Sequence, residues 1–92
     1  MDARTLLHRN SGVVAVDMDG ETVIMDKQEG GYSSLNAVGS HVWAVLENPS
    51  TVEHVVASVR DAFEASDADQ VETDVRSFLG QLLDRGLIVA DD

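Results

Sequence analysis

The chain has 92 residues, of which 43% are hydrophobic, a content that fits one modestly sized folded domain and excludes a disordered chain. Acidic residues number 17 against 6 lysines and arginines, and the formal net charge of −11 argues against nucleic acid and membrane partners. The sequence has no cysteine, signal peptide or long apolar run, so we expect a single domain over residues 1–92, located in the cytoplasm.

The first predicted feature is a flexible tail over residues 1–12. This segment has no sustained hydrophobic period, and the pair Leu6 and Leu7 is its one candidate for a short strand. The first strand of a sheet is therefore expected to begin near residue 13.

A β-hairpin is predicted next, because residues 13–18 and 21–26 are β-prone and flank Asp19-Gly20, a pair typical of a type I′ turn. With Met18 opposite Glu21, the register pairs Val16 with Val23 and Val14 with Met25. One face of the hairpin is then apolar at five of these six positions. The other face is mixed, and it carries Asp17, Thr22 and Asp26 beside Val13, Ala15 and Ile24.

A looser turn over residues 27–31 leads to a short third strand at residues 32–35, which completes an antiparallel meander. The chain leaves this strand for a helix, so the outer edge of the strand is expected to be open to an extended peptide. Ser33 and Ser34 do not protect this edge as lysine or proline would. The alternative is that the tail or the C-terminal segment covers it.

Two helices are predicted after the meander. Asn36 is placed as the N-cap of a helix over residues 37–47, which ends at Asn48-Pro49. Ser50-Thr51 then caps a second helix, whose valines and phenylalanine form one narrow apolar stripe that faces the core. The members of this stripe are Val52, Val55, Val56, Val59 and Phe63.

The third predicted helix is the longest and extends from about Asp67 to Arg85, with Gly86 as the left-handed residue that ends it. Its apolar residues spread over about 140°, which lets one flank pack in the core and the other contact something else. A short extended segment at residues 87–89 follows. Three strands followed by three helices predict an α+β domain.

No catalytic, metal or cofactor site is predicted. Asp17-Met18-Asp19-Gly20 resembles the first motif of haloacid-dehalogenase-type phosphatases, but 92 residues leave no room for their parallel sheet and further ligands. The three histidines lack the spacing of a zinc site, and the acidic residues of the third helix lack that of a calcium loop. We therefore expect a protein that is not an enzyme.

Several motifs resemble the PqqD-like family, which includes the pyrroloquinoline-quinone peptide chaperone and the recognition elements of ribosomally synthesised, post-translationally modified peptides. The motifs that carry this resemblance are Gly30-Gly31-Tyr32-Ser33-Ser34-Leu35-Asn36-Ala37-Val38-Gly39, Val42-Trp43, Leu46, Thr51-Val52-Glu53 and Phe78-Leu79-x-x-Leu82-x-x-x-Gly86-Leu87-Ile88. The resemblance implies a winged-helix-like domain that binds the leader segment of a precursor peptide as an added strand, between its third strand and third helix.

By position, the resemblance implies nine leader-binding residues, which are Tyr32, Ser33, Ser34 and Leu35 on the strand and Val71, Asp74, Val75, Phe78 and Leu82 on the helix. The implied partners are a precursor leader peptide and a separate leader peptidase or modifying enzyme. Among family members, the chain looks most like the stand-alone leader-binding protein of lasso-peptide systems. The alternative function is a winged-helix DNA-binding regulator, which the acidic residues of the third helix disfavour.

Overall fold

The computed structural model describes residues 1–26, 31–63 and 67–91. In chain order its elements are β1 (Leu6–Arg9), β2 (Val14–Met18), β3 (Glu21–Asp26), β4 (Gly31–Leu35), α1 (Ala37–Val45), β5 (Ser50–Thr51), α2 (Val52–Phe63), α3 (Ala68–Asp84) and β6 (Ile88–Asp91). The strands form two antiparallel sheets, ordered β2-β3-β4 and β5-β1-β6. The predicted α+β fold, a three-stranded meander followed by three helices, is confirmed.

The hairpin of β2 and β3 has the predicted turn and register. Asp19 and Gly20 have φ angles of 55° and 85°, as a type I′ turn requires at both central positions. The strands pair Met18 with Glu21, Val16 with Val23 and Val14 with Met25. The predicted turn that follows lies outside the described residues at 27–30, and Gly31 begins β4.

Asn36 is the cap of α1, as predicted, and Asp67, where the third helix was predicted to begin, is the cap of α3. The Asn36 side chain accepts a hydrogen bond from the Gly39 N–H at 2.8 Å, and the Asp67 side chain accepts one from the Gln70 N–H at 3.1 Å. Each bond satisfies a donor that the first turn of a helix leaves unpaired. α1 ends at Val45, two residues before the predicted end, and Gly86 follows α3 with a φ of 71°.

The N-terminal segment corrects the expectation of a flexible tail, because residues 6–9 form the central strand of the second sheet. β1 pairs with β5 on one side and with β6 on the other, and Leu7 is fully buried in the core. The candidate strand at Leu6 and Leu7 is therefore present. The predicted extended segment after α3 is its partner β6.

The core lies between the two sheets and the helices, and the mixed face of the hairpin turns toward it. Ile24 is completely buried, and Val13 and Ala15 pack against the core from the same face. Thr22 lies on this side as well, and its backbone N–H donates to the Ser40 hydroxyl at 2.9 Å. The more apolar face of the hairpin consequently points away from the core. No helix within the described ranges is long and apolar enough to cross a membrane.

Candidate functional site

The outer edge of β4 is free of strand partners among the described residues, since β4 pairs with β3 alone. The chain termini pair with each other in the second sheet instead, where Leu6 lies opposite Asp91 and Arg9 opposite Ile88. The structure therefore does not follow the alternative in which the tail or the C-terminal segment covers this edge. Unpaired N–H and C=O groups along such an edge can bind an extended peptide.

A cavity of about 470 Å³ lies between the end of β4, the first turn of α1 and the middle of α3. Its lining residues are Ser34, Leu35, Asn36, Val38 and Gly39 on one side and Asp74, Val75 and Phe78 on the other. We call this cavity the β4–α3 groove. Its position places a concave surface at the site where the resemblance implies that a leader peptide binds.

The floor of the β4–α3 groove is apolar and depends on a glycine. Val75 and Leu35 are almost completely buried, and the ring of Phe78 is half-buried. A Cβ atom at Gly39 would lie 3.0 Å from the ring tip of Phe78 and 3.2 Å from the Cβ of Leu35. The absence of a side chain at Gly39 therefore lets the ring of Phe78 pack against the start of α1, where it forms part of the groove floor.

The rim of the groove is polar and carries one exposed carboxylate. The Asp74 side chain accepts a hydrogen bond from the Gln70 amide, with 2.9 Å between Nε2 and Oδ1, so it is oriented along the surface of α3. The side chain of Asn36 is engaged in capping α1. A negative rim above an apolar floor favours an apolar ligand side chain with a cationic group nearby.

The far end of α3 is joined to β4 by a hydrogen bond. The Arg85 guanidinium donates to the Ser33 hydroxyl, with 2.6 Å between Nη2 and Oγ. Ser33 and Leu35 lie on the inner face of β4, whereas Tyr32 and Ser34 alternate to the outer face, where Tyr32 is 74% exposed. The bond thus helps to hold β4 beside α3 at the end of the helix.

The structure brings five of the nine predicted residues together around the β4–α3 groove, which are Ser34, Leu35, Asp74, Val75 and Phe78. The other four do not line it. Tyr32 points outward, Ser33 binds Arg85, Val71 packs half-buried against the core, and Leu82 lies in the core. Leader binding by these residues stays a prediction.

Three groove residues were missed by the sequence analysis, which are Asn36, Val38 and Gly39. Their signal was present, because the predicted helix cap at Asn36 follows the open strand directly. A groove beside the end of β4 must therefore include the first turn of α1.

The described residues contain no group of three or more histidine, aspartate or glutamate side chains that could hold a metal ion. A histidine and a serine that the sequence spacing did not connect do meet, with 2.7 Å between His41 Nε2 and Ser58 Oγ. This contact joins α1 to α2, where the ring of Phe63 packs edge-on against His41. Neither partner lines the β4–α3 groove, so the pair contributes to helix packing.

Comparisons with known proteins agree with this fold. Residues 21–88 match the family model described as Coenzyme PQQ synthesis protein D (PqqD). A solved structure described as TbiB1 in complex with the TbiA(beta) leader peptide is similar to this chain, with 33% sequence identity and a TM-score of 0.78, over 88% of this chain and 93% of that one. No curated protein matched. The match over residues 21–88, most of the chain, and the likeness of the whole fold lead to one conclusion: the chain belongs to the PqqD family.

Proposed function

We propose that this chain is a non-catalytic adaptor, a recognition element that binds the leader segment of a ribosomally made precursor peptide as a strand added to β4. In this proposal it presents the precursor to a separate leader peptidase or modifying enzyme in the cytoplasm. The observation that carries the proposal is an open strand edge with an apolar groove beside it. The family match and the leader-bound relative support leader-peptide binding.

The energetics assign affinity to the groove rather than to the strand edge. Each backbone hydrogen bond contributes about 0.5–1.5 kcal/mol net, whereas ordering each peptide residue costs about 1–2 kcal/mol. Pairing with β4 alone is therefore close to neutral. A leader side chain buried against Val75 and Phe78 adds about 1.5–3 kcal/mol, so the side chains that enter the β4–α3 groove decide affinity and choice of peptide.

The proposed ligand is an extended segment with at least one apolar side chain and a lysine or arginine close by. The apolar side chain suits the floor of Leu35, Val75 and Phe78, and the cation suits Asp74 at the rim. The net charge of −11 favours the same choice over the whole surface. Within the family, the resemblance to stand-alone proteins of lasso-peptide systems makes a lasso-peptide precursor the proposed source.

Titration of a fluorescently labelled leader peptide tests the proposal. Saturable binding is expected, and Phe78→Asp and Val75→Asp should each weaken it by at least about tenfold, because a carboxylate in the groove is desolvated without a partner. Val89→Asp is the control, since Val89 is an exposed residue of the other sheet. Circular dichroism identifies variants that do not fold, and Phe78→Ala supplies a milder substitution for the same comparison.

Unchanged affinity in both groove variants would remove the β4–α3 groove as the binding site. The alternative of a DNA-binding regulator has a separate test, which is binding to random duplex DNA at low salt. We expect none. α3 carries Asp69, Glu72 and Asp74, and Glu72 already pairs with the guanidinium of Arg76 at 3.3 Å. Little positive charge then remains on α3 for phosphate groups.

A further inference from the structure

The edge of β2 is the second open edge of the sheet β2-β3-β4, because β2 pairs with β3 alone among the described residues. In an antiparallel pair, only every second residue directs its N–H and C=O groups toward the neighbouring strand. The Thr22 N–H donates to the Ser40 hydroxyl, so Thr22 and its partner Asp17 are not a hydrogen-bonded pair. Ala15 and Asp17 therefore direct their backbone groups outward, where these groups can bind an added strand.

A cavity of about 240 Å³ lies beside this edge, and Ala15 and Asp17 line it together with Arg9 and Trp43. We call it the β2 cavity. The half-buried Arg9 guanidinium lies over the Trp43 ring, 4.7 Å from its centroid, and donates to the Trp43 carbonyl through Nε at 3.0 Å. Burial lowers the pKa of Arg9, and no carboxylate of the described residues lies within ion-pair distance of it. The β2 cavity thus holds a poorly solvated positive charge, which suits an incoming carboxylate.

Two β2 strands fit together as an antiparallel pair when a two-fold axis passes through Val16. Val16 then lies opposite its own counterpart. Ala15 lies opposite Asp17 of the second copy, so the outward backbone groups of these two residues meet on both sides of the axis. Val14 lies opposite Met18 of the second copy. Val14, Val16 and Met18 are 44%, 45% and 59% exposed in the single chain, and all their cross-strand contacts in this pair are apolar.

This register brings Asp17 of each copy to the β2 cavity of the other. Residues that lie opposite each other in a pair project from the same face, and Ala15 lines the β2 cavity. The carboxylate of Asp17 from the second copy therefore comes beside Arg9, and the symmetry repeats the contact. An axis through Asp17 would instead oppose two carboxylates. Charge thus selects the register centred on Val16.

We propose that a second copy of this chain occupies the β2 edge, and that each copy places Asp17 beside Arg9 of the other. The dimer joins two sheets into one with the strand order β4-β3-β2-β2-β3-β4. Both β4 edges lie at its far ends and stay open. The two net charges of −11 repel each other at low salt, but about 0.15 M salt screens charges more than about 8 Å apart and affects a close, half-buried pair much less. The dimer therefore forms at physiological salt or above.

Sedimentation velocity at about 0.15 M salt, with up to about 1 mM protein, tests the dimer and its ion pair. The wild type should dimerise as its concentration rises. Asp17→Lys should raise the dissociation constant by at least about tenfold, because the introduced ammonium group faces Arg9 of the other copy. Asp61→Lys is the matched control, with the same change of charge at an exposed residue of α2 outside the β2 cavity. It lowers the overall repulsion, so it should dimerise at least as tightly as the wild type.

Mixing Arg9→Glu with Asp17→Lys separates contacts between copies from contacts within one chain. Each variant alone places like charges at both ion pairs of the dimer. In the mixed dimer, one ion pair is native and the other is reversed in sign, so the mixture should associate at least about tenfold more tightly than either variant alone. Circular dichroism checks that Arg9→Glu folds without its bonds to Trp43.

A single cysteine at position 16 tests the register, since the sequence has none of its own. The two Val16 Cα atoms of the proposed pair lie about 4.5 Å apart, which is within reach of a disulfide. Val16→Cys should oxidise to a covalent dimer at least about tenfold faster than Val89→Cys, at an exposed valine of β6 in the other sheet.

A wild type that stays monomeric up to about 1 mM would overturn the inference and leave the β2 edge to a different protein or to none. A dimer that Asp17→Lys and Asp61→Lys affect equally would assign the contact to another surface, which overturns it as well. Equal oxidation rates of Val16→Cys and Val89→Cys would have the same meaning. If Arg9→Glu does not fold, Asp17→Lys and Val16→Cys decide the question without it.

Discussion

At the scale of single residues, the β4–α3 groove depends on a close approach between α1 and α3. Gly39 is the third residue of α1, and Phe78 lies in α3, so their contact joins segments that are far apart in sequence. Local signals predicted the Asn36 cap, since a cap acts within one helical turn. They could not predict that Gly39 accommodates Phe78, because that requirement arises only when the two helices come together.

Replacing Gly39 with alanine should push the ring of Phe78 toward the groove and lower leader affinity by about tenfold, as a 3.0 Å contact forces one side to move. Gly80→Ala is the control. A Cβ at Gly80, on α3, meets no atom within 4 Å, so this variant should bind leader normally and gain up to about 1 kcal/mol in unfolding free energy. The combination G39A/F78L removes the ring tip and should recover part of the affinity. Wild-type affinity in Gly39→Ala would contradict this role.

At the scale of elements, the features predicted well are those with local signals, whereas β1 was predicted as part of a flexible tail and β5 was predicted only as a helix cap. The hairpin turn, the helix caps and Gly86 act between residues close in sequence. β1 is held by β5 and β6, which lie about 40 and 80 residues further along the chain. Pairing between segments so far apart cannot be predicted from a short window of sequence. The polar residues around Leu6 and Leu7 also interrupt the alternating apolar pattern that is typical of a strand.

Leu7→Ala should lower the free energy of unfolding by about 2–5 kcal/mol, because Leu7 is fully buried in the core. Urea denaturation followed by circular dichroism measures the loss. Leu6→Ala, at the half-buried neighbour on the opposite face of β1, should cost clearly less. Equal losses from the two variants would mean that β1 is not anchored by Leu7.

At the scale of the whole molecule, the net charge follows from the sequence. Which face of the β2-β3-β4 sheet packs against the core could not be predicted from it. Both faces of the hairpin carried apolar residues, and the register alone did not say which one turned inward. The choice follows from tertiary contacts, in which Ile24 fills the core and the Ser40 hydroxyl receives the Thr22 N–H while donating to the Leu35 carbonyl at 3.2 Å. The more apolar face was left outside as a result.

The net charge of −11 predicts that leader association depends on salt. Between low salt and about 0.5 M salt, the association rate of a leader containing lysine or arginine should fall by about tenfold, while the dissociation rate changes little. Stopped-flow fluorescence measures both rates. A leader with its basic residues replaced by glutamine should lose most of this dependence, and a salt-independent association rate for the native leader would contradict the prediction.

The antiparallel pairing of β1 with β6 has a practical consequence for engineering. Because Leu6 lies opposite Asp91, the two ends of the described chain emerge side by side, in a different sheet from β4. A fluorophore, an affinity tag or a flexible linker joined at either end would leave the open edge of β4 accessible to an added leader strand. The same proximity makes circular permutation, with a short bridge between the old ends, a practicable rearrangement of this scaffold.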